Sequence, residues 1–218
     1  MASYVLMRIL ESSPKRYDRG IRILTFGKLD LAYDRMMSYV EEDKVLDLGC
    51  GTGALSLRAA KKGANVKGID VNSQMLEIAK KRGVETNLTQ NLELCEMGVA
   101  EIAKEKSESY DVVMAVLCFS ELTKDELIYA LKEVKRILKP EGFLLVVDEV
   151  VPKTILKRAL SYLIRFPLVI ITYFIAQSIT TPIEGLPELV KEEGLLIESI
   201  RLNKIENFIE LVGKKSKE

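Results

Sequence analysis

Apolar and polar positions follow two rhythms along this chain. Short apolar runs over Lys44–Leu48 and Asn65–Asp70 stop at a glycine or an acid and predict buried strands. Ala54–Lys62 between them predicts a helix closed by Gly63, and Ser73–Arg82 predicts a second, capped by Ser73 and closed by Gly83. Leu88–Cys95 alternates weakly, as a third strand would. Tyr110–Leu117 is almost wholly apolar, the pattern of a parallel strand covered on both faces. Leu127, Leu131, Val134 and Leu138 share one side of a predicted helix over Thr123–Leu138, which Pro140 and Gly142 end before a fifth strand at Phe143–Val147. Upstream, Leu29, Tyr33, Met36, Met37 and Val40 recur at helical spacing. Downstream, Pro182–Glu193 reads as a helix, and Leu195–Leu202 with Ile205–Val212 as a hairpin across Asn203-Lys204.

This strand–helix alternation predicts an α/β fold with a doubly wound, mostly parallel sheet that ends in an antiparallel strand. The expected organisation is an N-terminal helical cap at 1–43, a core at 44–150, an apolar helical insertion at 151–181, and a helix with a hairpin at 182–218 that completes the sheet. The insertion holds the greasiest stretch, Leu168 to Ala176 inside Ile155–Ser178. Arg165, Pro167 and Gln177 cut it below the roughly 20 residues a membrane span needs. It reads as a cap over the active site, with peripheral membrane contact or a homodimer face as the other uses of such a surface.

Composition narrows the chemistry. Lys plus Arg and Asp plus Glu both total 32, so no basic surplus is available for a nucleic-acid partner. Histidine is absent, which removes Ser-His and Cys-His nucleophiles and the usual histidine-containing zinc sites. No metal is expected. Cys50, Cys95 and Cys118 form no CxxC pair and read as reduced, buried thiols of a cytoplasmic protein. The first ten residues lack the pattern of a signal peptide.

The strongest local signal is Val45-Leu46-Asp47-Leu48-Gly49-Cys50-Gly51-Thr52-Gly53, between a predicted strand and a predicted helix. Glycines let the chain turn and let a ligand touch the main chain, while the helix start offers free N–H groups to an anion. Asp47 adds the opposite charge, so the loop suits a zwitterionic amino-acid end. Asp70 closes the second strand 21 residues after Gly49, where an acid accepts hydrogen bonds from ribose hydroxyls. An NAD-dependent oxidoreductase is one alternative, since Gly49-x-Gly51-x-x-Ala54 satisfies a loose dinucleotide pattern. Asp47 would sit awkwardly by a pyrophosphate, however, and Gly53 is superfluous to that pattern.

The nonapeptide above and the later Gly68-Ile69-Asp70-Val71-Asn72 resemble the first two signature motifs of the class I methyltransferases that use S-adenosylmethionine (SAM). The resemblance implies a Rossmann-like, seven-stranded sheet and SAM as cofactor. It implies that Gly49, Cys50, Gly51, Thr52 and Gly53 approach the methionine moiety with Asp47 nearby, and that Asp70 holds the ribose. Val71 and Met75 then fall near the adenine, and Leu117 at the end of the fourth strand counts among the cofactor contacts. Gly98-Val99-Ala100-Glu101 stands where many relatives read Gly-Asp-Ala-Glu. Val99 removes the acid that meets the adenine amine and leaves the backbone of Val99 and Ala100 to do so.

Tyr17-Asp18-Arg19 and Leu24-Thr25-Phe26-Gly27 resemble the ubiquinone/menaquinone C-methyltransferase branch, which implies a tyrosine, here Tyr17, over the cofactor. The N-terminal half is also similar to archaeal methyltransferases encoded beside corrinoid proteins, which implies a corrinoid protein as a partner. No Asn-Pro-Pro-Tyr-like tetrapeptide follows the fourth strand. Phe119-Ser120-Glu121 stands there instead, which tilts the methyl acceptor toward a small or lipid-like molecule. Without histidine, a general base falls to Tyr17, Glu121 or Glu149, with Asp148 beside the last. The remaining alternative is a non-catalytic SAM-binding partner protein.

Overall fold

A computed structural model describes residues 28–161, 163 and 181–217. Its strands are β1 (Lys44–Leu48), β2 (Asn65–Asp70), β3 (Leu92–Glu96), β4 (Tyr110–Val116), β5 (Leu138–Glu149), β6 (Leu196–Leu202) and β7 (Phe208–Lys214). Its α-helices are α1 (Lys28–Met36), α2 (Ala54–Lys61), α3 (Ser73–Glu85), α4 (Lys124–Ile137) and α5 (Leu186–Glu192), besides a helical stretch at 155–161. Among the described residues one sheet runs β3-β2-β1-β4-β5-β7-β6. β7 is antiparallel to both neighbours, and the remaining pairs are parallel.

The period-two alternation of β4 decides the layers. Val113 and Ala115 point into an apolar layer with Leu127, Leu131 and Val134 of α4 and Val190 of α5. Val112 and Met114 point the other way, toward Leu29 and Met36 of α1 and Leu55 and Ala59 of α2. Helices on both faces are the reason the middle strands carry almost no polar side chains. Arg35 of α1 forms a two-pronged ion pair with Glu210 of β7 across 175 positions of sequence.

Several boundaries differ from the sequence reading. Asn72, not Ser73, caps α3, because its side-chain oxygen accepts from the N–H groups of Gln74 and Met75. α3 runs past Gly83, which is buried with Leu92 at its back, so that glycine serves close packing rather than a stop. β3 starts only at Leu92, behind a 3-10 turn over Thr89–Asn91. β5 begins at Leu138: a register irregularity between Tyr110 and Val112 absorbs the Lys139–Glu141 stretch, so Pro140 lies within the strand rather than before it. α5 begins at Leu186, because Ile183 is held in a bridge to Val150. The β6–β7 connection is longer than a two-residue turn, with the Asn203 and Asn207 side chains joined across it and Glu206 at φ +60°. No helix among the described residues is long and apolar enough to cross a membrane.

Candidate active site

At the carboxyl ends of β1 and β4 the chain turns back through left-handed conformations. Gly49, Gly51 and Gly53 all have positive φ, at +66°, +53° and +74°. Two hydrogen bonds shape the loop: Cys50 N–H donates to the Ile69 carbonyl at 3.0 Å, and Gly53 N–H to the Cys50 carbonyl at 2.9 Å. A Cβ on Gly49 would stand 3.0 Å from both Cβ and Sγ of Cys118. A Cβ on Gly51 would meet nothing within 4 Å, so that position opens onto the cleft. Leu117, across the loop, holds a non-glycine left-handed conformation at φ +53°, pinned by its N–H to the Val147 carbonyl at 2.8 Å. Backbone strain of this kind gathers where a ligand must be met.

Two cavities share this bend. The larger, about 640 Å³, is walled mainly by apolar groups, including Ile69, Val71, Met75, Met97, Val99 and Leu122, with Asp70 at its inner edge. The smaller, about 260 Å³, is more polar and is bounded by Asp47, Thr52 and Arg58. Gly49, Gly51, Val116 and Leu117 line both.

The buried Asp47 and the half-buried Asp70 are held differently. Asp70 accepts Gly51 N–H at 2.7 Å and Asn72 N–H at 2.8 Å, so one carboxylate ties the glycine loop to the turn after β2. Burial raises its pKa, opposed by those amides. Asp47 is 2% exposed and accepts from the Ser56 hydroxyl. Burial lifts it to about 7, with the Ser56 hydrogen bond pulling down and the charge of Asp70 adding to the rise. Arg58 pairs with Asp30 of α1 at 2.6 Å and lies over the Tyr33 ring at 4.8 Å, placing a cation at the far wall of the smaller cavity.

Of the residues singled out in the sequence, Asp47, Gly49, Cys50, Gly51, Thr52 and Leu117 line the smaller cavity, and Asp70, Val71, Met75, Val99, Ala100 and Glu121 the larger. Gly53 caps α2 from outside these walls. Glu149 is absent from both linings among the described residues. Asp148 faces inward, fully buried, and accepts from Ser120 N–H at 3.1 Å and Glu149 N–H at 2.7 Å. Tyr17 lies outside the described residues, as does most of Ile155–Ser178. Sequence reasoning missed Met97, Cys118, Tyr129 and Arg58. Tyr129 carries a legible signal, being one helical turn after the Thr123–Glu126 capping box, and its hydroxyl donates to the Ala100 carbonyl at 3.1 Å. Burial pushes the Cys118 thiol well above its ordinary range and raises Cys50 as well, so neither offers a thiolate near neutral pH. No group of His, Cys, Asp or Glu suited to a metal occurs among the described residues.

Asp148 carries a stability prediction. Burial raises it to about 7, against an ordinary value of 3.8 in the unfolded chain. A raised acid favours folding at low pH, and that contribution is lost as pH climbs from about 4 through about 7. Asp148→Asn removes the buried charge at every pH and keeps an acceptor for only one of the two amides, because Ser120 N–H and Glu149 N–H meet different carboxylate oxygens. The variant carries a pH-independent cost for the amide it leaves unpaired, so its melting temperature relative to the wild type is expected to be higher at pH 8 than near pH 4. A difference in melting temperature that is the same at pH 4 and pH 8 would place the charge elsewhere.

Residues 45–142 match the family model described as a methyltransferase domain. The ubiquinone/menaquinone biosynthesis C-methyltransferase UbiE of Campylobacter jejuni is 33% identical over 146 residues, covering 61% of this chain and 58% of that protein. The chain spans about half the length of the curated relatives it matches. Among solved structures, a SAM-dependent methyltransferase from Methanosarcina mazei has a TM-score of 0.66 at 23% identity, covering 84% of this chain and 97% of its own. A Burkholderia thailandensis 1,6-didemethyltoxoflavin-N1-methyltransferase, solved with S-adenosylhomocysteine, has a TM-score of 0.68 at 14% identity, covering 95% of this chain and 88% of its own.

Proposed function

We propose that this chain, which carries a class I SAM-dependent methyltransferase domain, transfers the methyl group of SAM to a small or lipid-like acceptor. One observation carries the reading: two cavities meet at a single bend, the smaller holding the buried Asp47 and the larger the half-buried Asp70, and Gly51 leaves the junction clear. That division matches a nucleoside joined to an amino acid. Asp70 faces the ribose hydroxyls, having spent only part of its acceptor capacity on two amides. Ile69, Val71, Met75 and Met97 suit an adenine, and the N–H groups of Val99 and Ala100 stand at its edge. Asp47 faces the amino-acid ammonium, while Arg58 offers a cation to the carboxylate.

SAM, when bound, supplies a methyl group already activated by a sulfonium. The protein's own task is to hold, orient and exclude water. Val116 and Leu117 form an apolar wall along the shared junction, Leu122 continues it into the larger cavity, and Glu121 beside Leu122 is a carboxylate on that cavity's wall that can accept a proton from an acceptor that needs it. The curated relative named for ubiquinone and menaquinone biosynthesis supports a quinone-like acceptor, and the larger cavity's described lining, with acids and no cationic side chain, disfavours an anionic one.

Two measurements test the site. Asp70→Ala strands two amides and removes the ribose contact, so SAM affinity by calorimetry is expected to fall about ten- to a hundredfold, the effect of unpairing buried polar groups. Affinity equal to wild type, or tight NAD binding instead, would sink the assignment. Asp47 supplies the second. It titrates at about 7 in the free protein, and an ammonium beside it favours the carboxylate and lowers that value. Binding therefore releases a proton below pH 7, and affinity drops toward about tenfold per pH unit there, with little change above pH 8. Asp47→Asn is expected to flatten that profile.

A further inference from the structure

The helical stretch at 155–161, extended to Leu163, is amphipathic with its faces reversed. Ile155, Leu156, Leu160 and Leu163 are 86%, 81%, 46% and 73% exposed, and Ala159 is exposed among them. At about 100° per residue these five positions fall in one arc of roughly 140°. The opposite side holds Lys157, Arg158 and Ser161. Ser161 is 4% exposed, Lys157 is ion-paired to Glu206, and Arg158 pairs with Glu184 at 3.3 Å. A helix on a water-facing surface normally does the reverse. Contiguous apolar side chains turned outward mark a contact surface.

We infer that this face docks on an anionic lipid bilayer. The first support is charge. From Val150 to Ile183 the sequence carries Lys153, Lys157, Arg158 and Arg165 and no acid, in a chain whose net charge is zero. Lys153, with its side chain 75% exposed, pairs with Glu188 at 2.8 Å, and Arg158 keeps 42% exposure. Surface pairs of this kind hold weakly, so anionic headgroups can compete for those cations while the leucines enter the headgroup boundary. The second support is position. The stretch follows directly on the carboxyl end of β5, the same end of the sheet that bears the glycine loop, so a docked molecule turns the mouth of its cleft toward the lipid. The inference deepens the reading of a lipid-like acceptor, which such a surface would deliver without passage through water. It is read out by vesicle binding, which needs neither cofactor nor turnover.

The test floats the full chain with vesicles of equal parts phosphatidylcholine and phosphatidylglycerol. The wild type is expected to float with them, and less so as salt rises or phosphatidylglycerol is left out. The triple variant Ile155→Glu, Leu156→Glu, Leu163→Glu is expected to partition at least about tenfold less, with unchanged melting and unchanged SAM affinity. The single variant Leu156→Gln gives an intermediate loss and guards against misfolding of the triple. A wild type that stays in solution overturns the inference, and so does a triple variant that floats equally well. A drop in molar mass from dimer to monomer in the triple variant also overturns it, by assigning the face to a second copy. Vesicle binding without SAM binding would instead sink the methyltransferase reading and leave the docking face standing.

Discussion

Leucine at Gly51 is expected to leave the fold standing and to abolish cofactor binding. The residue sits at φ +53°, which costs an L-residue about 1–2 kcal/mol. For a chain of this size that lowers the melting temperature by roughly 2–8 °C. The first atom of the side chain is unopposed, since a Cβ there meets no atom within 4 Å. The new side chain instead projects into the junction between the two cavities, where a continuous ligand must cross. Calorimetry with S-adenosylhomocysteine is expected to show at least a loss of about a hundredfold, the scale of several kcal/mol of excluded contact. Near-normal affinity in a folded Gly51→Leu protein would move the ligand away from this bend.

Alanine at Gly49, two residues earlier, is expected to fail in the opposite way. Its Cβ would press on Cys118 at 3.0 Å from both Cβ and Sγ, on a backbone already at φ +66°. Both sides are fixed, because Cys50 is bonded to β2 and Leu117 to β5. Overpacking and left-handed strain together are expected to destabilise by roughly 2–4 kcal/mol, read as a lower urea midpoint. The double variant Gly49→Ala, Cys118→Gly removes the collision and keeps the strain, so it should recover part of the loss over the Cys118→Gly background. If the single variant unfolds with the wild type, the close approach of the loop to Cys118 is wrong.

The loop and Asp70 were legible in the sequence because their chemistry is written locally: glycines where φ must be positive, acids at strand ends, and a helix starting beyond. The mostly parallel, doubly wound sheet followed from the nearly unbroken apolar run of β4 and from the βαβ rhythm, whereas the strand order came only with the structure. What escaped was set by contacts between distant residues. Arg58 reads as an ordinary helix-surface cation until α1 brings Asp30 and Tyr33 over it. Asp148 reads as one more acid after a strand, yet the 3-10 turn at Phe119–Glu121 offers it the Ser120 amide and draws it inward. Pro140 reads as a stop, and the irregular pairing opposite Tyr110 lets the strand begin before it. Gly83 reads as a helix terminus, and close packing against Leu92 carries the helix two residues past it.

The order β5-β7-β6 also bears on how the molecule is made. A ribosome delivers β6 before β7, yet β6 reaches the sheet only by pairing with β7. Until residues 208–214 emerge, the flank of β5 stays open and β6 has no place to go, while Glu210 is still missing as the partner that clasps α1 through Arg35. Any folding during synthesis therefore leaves the flank of β5 as a bare sheet edge until β7 arrives, and an unpaired edge of this kind is a site for mispairing with other chains.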